Sequence, residues 1–399
     1  MTDIIVIGGG ASGMTAAVRA AERGRSVLLI EKSDRIGRKI LASGNGRCNL
    51  LNKSSLQYFG DTDFALKVLK NCPPHKIERF FQHYGLMITE ESDGRFYPVS
   101  FQASSVLSVF RDALDVNGVD IRTGTRAVSI CRHNHYFSVK TDSGEVLEAP
   151  FVIISCGGPA QPSAGGTDDG LKLLRQTGHA IIPASPALVP LRTDSRSISG
   201  LSGIRVKCSV SVIRDRKLLH REHGELLFTD YGVSGICVMQ CSKFAAPDTV
   251  LEIDFLSRII PDPRNAAAEL KRRRELYANR SPVCLLDGII AEKISYAVLK
   301  QADIPLRGEK AGSLSDDDLK RIAEKAYRYR LCVRGNRGME YAQVTAGGAE
   351  CGAFDPDTMA SYICQGLYAT GEVLNVDGGC GGFNLMFAFA TGLIAGNAV

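Results

Sequence analysis

The first thirty residues constrain the fold more than any other stretch. An apolar run, Ile4-Ile5-Val6-Ile7, leads into Gly8-Gly9-Gly10-Ala11-Ser12-Gly13. A helical pattern from Met14 to Arg23 follows, then a second apolar run, Val27-Leu28-Leu29-Ile30, which ends on Glu31. Strand, glycine turn, helix, strand and acid in this order predict a nucleotide-binding βαβ unit. Gly8 permits the turn out of the strand, Gly10 the approach of a pyrophosphate, and Gly13 close packing of helix on strand. The phosphates would sit on the unpaired N–H groups and positive dipole end of the helix. Glu31, at the tip of the second strand, is placed to accept from ribose hydroxyls.

The next stretch, Ile36 to Asn49, is glycine-rich, basic and without apolar periodicity. It predicts a loop running along a ligand: Gly44 and Gly46 allow approach, and Arg38, Lys39, Ser43, Arg47 and Asn49 supply donors. The far end of the chain repeats the logic. Leu367 to Glu372 reads as a strand delivering an acid after Gly371. Val376 to Asn384 is a glycine loop containing Asp377, Gly381, Gly382 and Phe383, and Leu385 to Ala395 is an apolar helix. A helix N-terminus reached through such a loop suits an electron-rich ligand edge, such as the N1–C2=O side of an isoalloxazine. The opening unit therefore reads as the ADP half of an FAD site rather than an NAD site.

Between these ends, helices are expected over Pro74–Tyr84 and Ser100–Val116. A hairpin is expected from Leu86–Glu90 and Arg95–Tyr97 around a turn at Ser92-Asp93-Gly94. Val119 to Pro150 predicts a β-meander. Phe151 to Ile154 predicts a buried parallel strand that ends on Ser155-Cys156-Gly157-Gly158, small residues suited to passing a cofactor. Ala164 to Gly170 is a Gly/Asp loop. From Ala187 the texture turns β-rich. Pro263 to Asp303 is helical in two pieces broken near Ser281-Pro282. Ser315 with Asp318 predicts a capping box. Strands at Tyr329–Val333 and Glu340–Val344 are expected to return to the inserted sheet. The run Lys271-Arg272-Arg273-Arg274, flanked by Glu269 and Glu275, reads as a solvated helix face.

A net charge of +5 on 399 residues implies neither a nucleic-acid nor a membrane partner. No apolar run is long enough to span a bilayer. The first strand begins too early to leave room for a signal peptide. Twelve cysteines without a C-x-x-C pair point to a reducing cytosol, so a cytoplasmic location with mostly buried thiols is expected, and argue against a disulfide reductase. No metal-spaced His/Cys cluster and no Ser/His/Asp set is present, so no metal is expected. The two catalytic candidates are Arg47, as an anchor for an anion or substrate, and Cys48, as a redox thiol. Both lie in the basic loop.

Several motifs together carry a resemblance that covers nearly the whole chain. These are the N-terminal fingerprint, Gly37-Arg38-Lys39, Ser43-Gly44-Asn45-Gly46-Arg47-Cys48-Asn49, Gly224-Glu225-Leu226-Leu227-Phe228-Thr229, Thr345-Ala346-Gly347-Gly348 (read as a turn) and Gly371-Glu372-Val373 with Val376-Asp377-Gly378. The chain resembles the BaiN/RdsA-type (YhiN-like) NAD(P)/FAD-dependent oxidoreductases. The resemblance implies an α/β fold: a two-dinucleotide-binding (Rossmann-like) FAD domain from residues 1–188 and 342–399, an inserted β-rich domain from 189–248 and 306–341, and a small helical domain from 249–305. It places FAD on Gly8, Gly10, Ala11, Ser12, Gly13, Glu31, Lys32, Arg38, Lys39, Ser43, Gly44, Gly46, Arg47, Cys48 and Asn49. Further contacts are implied at Val128, Cys156, Gly157, Gly158, Gly371, Glu372, Asp377, Gly381, Gly382, Phe383 and Asn384. The family pattern more often has Thr where this chain has Cys156, His where it has Asp230, Pro where it has Ile236, and Thr-Gly-Gly-Tyr-Asn where it has Cys380 to Asn384.

The resulting expectation is an FAD-dependent oxidoreductase whose flavin is reduced by transiently docked NAD(P)H and reoxidised by a small organic acceptor such as an enone. Only one GxGxxG follows a strand, so no second nucleotide domain is expected. The alternatives are an oxygen-dependent small-amine oxidase of the aminoacetone type and a flavin-bearing protein that binds or modifies RNA.

Overall fold

The computed structural model describes residues 2–54, 56–91 and 94–399. Four unbroken buried residues form β1 (Ile4–Ile7), and four more form β2 (Val27–Ile30). Residues buried on both faces suit the middle of a parallel sheet. The sheet runs Leu367–Ala369, Phe151–Ile154, β1, β2, Asp120–Arg122, all parallel. Helix α1 (Ala11–Glu22) returns the chain from β1 to β2.

The chain separates into two units, Met1–Ala187 with Met339–Val399, and Leu188–Gly338. Each has its own apolar core. The first holds the parallel sheet and several small antiparallel sheets. Leu51–Asn52, Arg95–Pro98 and Ile88–Glu90 form one of these. The hairpin's expected turn residues Ser92 and Asp93 lie outside the described residues. The second unit is a closed six-stranded barrel in the order Leu191–Thr193, Gly232–Ser234, Lys217–Phe228, Arg205–Arg214, Val250–Asp254, Tyr329–Asn336. Helices Pro263–Leu276, Glu292–Gln301 and Asp316–Tyr327 share its core, the last opened by the Ser315–Asp318 capping box.

Four local expectations are corrected. Asp120–Arg122 is not the first strand of a meander but the edge of the parallel sheet beside β2; only Ala127–Arg132, Phe137–Thr141 and Val146–Ala149 form the antiparallel three. Residues 340–343 form no strand. The strand is Val344–Ala349, and it pairs with Ile181–Ala187 in the first unit rather than with the barrel. The predicted Thr345–Gly348 turn is thus strand. A Cβ on Gly348 would lie 2.7 Å from the Leu374 backbone, a fit available only against the first unit's own chain. The basic stretch after β2 is not all loop: Arg38–Ala42 forms a short helix, α2, and a turn with left-handed backbone at Gly44 and Asn45 follows.

The C-terminal helix, Phe383–Ala398, is apolar around nearly its whole circumference and buried along most of its length. Such a helix needs neighbours on every side. Its closest is α1. A Cβ on Gly392 would stand 2.5 Å from the Ser12 carbonyl oxygen, and one on Gly396 2.6 Å from that of Ala16. Two glycines one turn apart let the two backbones touch. Gly392 faces Ser12 and Gly396 faces Ala16, so the helices run parallel. Phe383 to Thr391 therefore extend past the start of α1, by about 13 Å at the usual helical rise.

Candidate functional site

The carboxyl edge of the parallel sheet is where ligands bind in folds of this kind. Here it is built from the glycine turn after β1. Gly8 has φ +108°, and a Cβ on it would meet the Ser155 carbonyl oxygen at 2.6 Å. A Cβ on Gly13 would lie 1.9 Å from the Gly8 carbonyl oxygen. Around a Cβ on Gly10 there is nothing within 4 Å. Two glycines are thus needed for internal packing, and the third faces open space. No side chain caps α1, and its first turn carries no acid, so its leading N–H groups point unpaired beside Gly10. Ala11 and Ser12 supply two of them, and the Ser12 hydroxyl reaches the Thr370 carbonyl (3.4 Å).

The Glu31 carboxylate accepts from Gly9 N–H (2.8 Å) through one oxygen and from Ser33 N–H (2.8 Å) through the other, tying the glycine turn to the end of β2. Beside it a small pocket of about 40 Å³ is lined by Lys32, Arg126, Ala127, Cys156 and Asp169. Arg126 forks onto Asp169 with Nε–Oδ2 2.9 Å and Nη2–Oδ1 2.5 Å. Burial works to raise the Asp169 carboxyl, but hydrogen bonds from Arg126 and Thr167 hold it below its usual range. Arg126 and Asp169 were not singled out from the sequence. Their only signal was the Gly/Asp loop after Cys156, which names no partner. Val128 is not in this lining: its side chain is 42% exposed, and its carbonyl accepts from Gln176 (3.4 Å).

The start of α2 is tied down at three points. Gly37 N–H donates to the Gly9 carbonyl (2.8 Å), Arg38 Nη2 to the Ser163 carbonyl (2.8 Å), and Lys39 Nζ to the Gly158 carbonyl (3.2 Å). Lys39 Nζ also pairs with Glu372 Oε2 at 3.0 Å. Glu372 in turn accepts from Gly158 N–H (3.4 Å) and, through Oε1, from Thr345 N–H (2.7 Å). Gly157 sits against this pair; a Cβ there would be 3.5 Å from Glu372 Oε2.

Beyond α2 the backbone is left-handed at Gly44, Asn45, Gly46 and Cys48. Asn45 and Cys48 hold this conformation without being glycine, a strain that concentrates at functional sites. Ser43 Oγ donates to the Ile40 carbonyl (2.7 Å). Arg47 lies over the neighbouring rings of Tyr97 (4.6 Å) and Phe101 (4.5 Å) and pairs with Glu91 (3.2 Å). Cys48 is fully buried, and burial pushes its thiol up to about 12. Cys156 is likewise pushed up to about 12 by burial, with Asp169 and Glu31 adding to the effect. Neither is a thiolate at neutral pH.

At the far end, Gly382 (φ +102°) precedes the C-terminal helix, which has no side-chain cap and no acid in its first turn. Asn384 braces the glycine loop, accepting from Gly378 N–H (2.7 Å) and donating to the Gly378 carbonyl (2.9 Å). Asn52 Nδ2 donates to the Gly381 carbonyl (2.7 Å). Tyr58 donates to the Phe383 carbonyl (2.8 Å) and packs edge-on against its ring. Asp377 is buried in the strand Val376–Gly378. Asn49 is 8% exposed, its Oδ1 has no hydrogen-bond partner, and that atom lies 2.6 Å from where a Gly382 Cβ would be.

Two uncapped helix N-termini, staggered along parallel axes, thus flank one edge of the sheet. An open glycine lies at the first and an orphaned buried acceptor beside the second. This fits an elongated ligand with anionic phosphates at one end and an N–H-bearing, electron-rich ring at the other. The fit is to FAD. Among the described residues no group of three or more His, Cys, Asp or Glu side chains could hold a metal, and no helix is long and apolar enough to cross a membrane.

Comparisons with known proteins agree with this geometry. A family model described as HI0933-like protein Rossmann domain matches residues 2–398. A 3-dehydro-bile acid delta(4,6)-reductase of Clostridium scindens is 35% identical over 413 residues, covering 100% of this chain and 99% of that protein. The ribosomal RNA dihydrouridine synthase of Escherichia coli is 27% identical, covering 98% of this chain and 96% of that protein. Among solved structures, a 3-ketosteroid-delta4-(5alpha)-dehydrogenase from Rhodococcus jostii superposes with a TM-score of 0.50 at 12% identity, covering 99% of this chain and 96% of that one, a likeness of fold.

Proposed function

We propose a reaction for this chain, which belongs to the HI0933-like Rossmann-domain family and is an FAD-dependent oxidoreductase: NAD(P)H reduces the flavin, and a small conjugated carbonyl compound reoxidises it. The observation that carries the reading is the 35% identity, end to end in both chains, to a 3-dehydro-bile acid delta(4,6)-reductase.

Bound FAD supplies two-electron transfer. The residues that would hold it are the turn Gly8–Gly13 with the α1 N-terminus for the pyrophosphate, and Glu31 for the ribose. Asn49 with Gly381 to Asn384 would hold the ring end. The uncapped N-terminus of the C-terminal helix would stabilise negative charge at that end, and the Asn49 Oδ1 acceptor would be available to a ring N–H. Arg47, half exposed and resting over the Tyr97 and Phe101 rings, would anchor an anionic group of the acceptor in exchange for Glu91. Cys48 keeps its proton and enters as a packed thiol rather than a redox centre.

The RNA reading drew on the basic cluster Arg272–Arg274. Here Arg272 and Arg273 pair with Glu269, and Arg274 with Asp316, so those cations are engaged.

The test is anaerobic. The FAD-loaded protein is mixed with NADH or NADPH and then with a cyclic enone. Bleaching of the flavin followed by recovery on adding the enone is the expected course. Failure of both nucleotides to bleach it, together with bleaching by a small amine and recovery with oxygen, would establish an oxidase instead. Formation of dihydrouridine in ribosomal RNA, with no turnover of enones, would establish the RNA reaction.

A further inference from the structure

Lys39 and Glu372 were expected to be ligand groups, but most of their bonding capacity is spent on the protein. Glu372 accepts from three donors, Lys39 Nζ at 3.0 Å, Gly158 N–H at 3.4 Å and Thr345 N–H at 2.7 Å, and Lys39 gives its second bond to the Gly158 carbonyl. The ion pair is a third or less exposed on either side. It gathers α2, the glycines after the strand Phe151–Ile154, the start of the strand Val344–Ala349 and the segment after Leu367–Ala369. Nothing in the glycine turn itself requires this meeting.

The direction of α2 gives the meeting its sense. The helix is tied at its start to Gly9, within the glycine turn, and two residues later to Glu372 and Gly158 on the far side of β1. It therefore reaches across the carboxyl end of β1 as a strap, held by the Gly37 backbone bond, the buried Ile36 and Ile40 side chains, the Arg38 bond to the Ser163 carbonyl and the ion pair. The ion pair is the fastening to a distant segment made between opposite charges, the one that salt weakens.

We propose that α2 is a strap over the dinucleotide site and that the Lys39–Glu372 pair is its latch, which sets how fast the cofactor leaves. The proposal rests on the FAD reading above. Lys39 and Glu372 act here as positioning residues, by holding chain segments together rather than by bonding the cofactor. A charge-assisted pair of this kind weakens as salt screens it.

The test follows FAD release from the loaded protein by the rise of its fluorescence on dilution. Lys39→Met and Glu372→Gln are expected to release FAD about tenfold faster. The double variant Lys39→Met with Glu372→Gln is expected to release FAD no more than about threefold faster than either single variant, because both remove the same pair. Release from the parent should quicken between roughly 0.05 and 0.5 M salt, whereas release from Lys39→Met should not. Lys39→Arg, which keeps the charge, serves as the conservative variant and should release as the parent does; thermal melting of each apoprotein separates loss of fold from loss of the latch. Release unchanged in the single variants, or effects of the two that multiply in the double variant, would overturn the latch. A parent protein that takes up no FAD would overturn the reading beneath it, a result distinct from unaltered release.

Discussion

The contact between α1 and the C-terminal helix makes a sharp prediction. Replacing Gly392 and Gly396 by alanine places Cβ atoms 2.5 and 2.6 Å from carbonyl oxygens of α1. Ordinary contact begins near 3.4 Å, so the helices must part by about 0.8–0.9 Å. Overpacking of this kind costs about 1–3 kcal/mol per site. Alanine in place of helical glycine returns about 1 kcal/mol per site. The double variant is therefore expected to lose about 2 kcal/mol net, a melting temperature lower by roughly 4–8 °C for a unit of this size. The shift also alters the spacing of the two N-termini that frame the site, so the FAD dissociation constant should rise at least about tenfold, or 1.4 kcal/mol. Differential scanning fluorimetry of the apoprotein and fluorescence titration with FAD read the two effects. Gly352→Ala, where a Cβ meets nothing within 4 Å, is the control and should be neutral. A double variant that melts higher than the parent and binds FAD equally well would refute the close-packing reasoning.

Further outcomes follow from the same structure. Cys131 and Cys332, both exposed, should be alkylated first by iodoacetamide at pH 8, well ahead of the buried Cys48, as peptide mass spectrometry would show. The Asp169 carboxyl is depressed in the fold, so its stabilisation is full above the ordinary carboxylate pKa of 3.8 and fades as pH falls through the lower folded value. Asp169→Asn should remove that fraction of the acid limb in a stability-versus-pH profile. Phe81→Ala, which empties the space between Phe110 (5.5 Å) and Phe389 (4.9 Å), should cost about 3–5 kcal/mol in denaturant unfolding.

The parts legible in the sequence were those fixed by local pattern. The βαβ unit follows from two apolar runs and a glycine turn, and the Ser315 capping box from spacing alone. What escaped was decided by distant partners. Asp120–Arg122 looks like its neighbours in the meander, yet it pairs with β2 because a parallel edge lay open there. Val344–Ala349 carries two glycines and reads as a turn; only the strand Ile181–Ala187 and the Leu374 backbone make it extended. The site showed the same division. The glycines announced themselves, but Arg126 and Asp169 meet across the fold and share no motif. Val128 was one residue from Ala127, the position that lines the pocket. Lys39 and Glu372 were singled out as donors and acids, whereas their mutual pairing is a fact of tertiary structure.

The parallel contact of α1 with the C-terminal helix has a consequence for biosynthesis. Residues 188–338 form a separate unit between the two portions of the cofactor-bearing unit. At usual elongation rates the ribosome needs about 10–30 s to add a segment of that length. Throughout that interval the face of α1 that will receive Gly392 and Gly396 is uncovered, and the parallel sheet lacks Leu367–Ala369. Cofactor capture must therefore await completion of the chain. A nascent polypeptide halted before residue 367 would leave open the face of α1 around Ser12, Thr15, Ala16 and Ala20, which the finished fold buries.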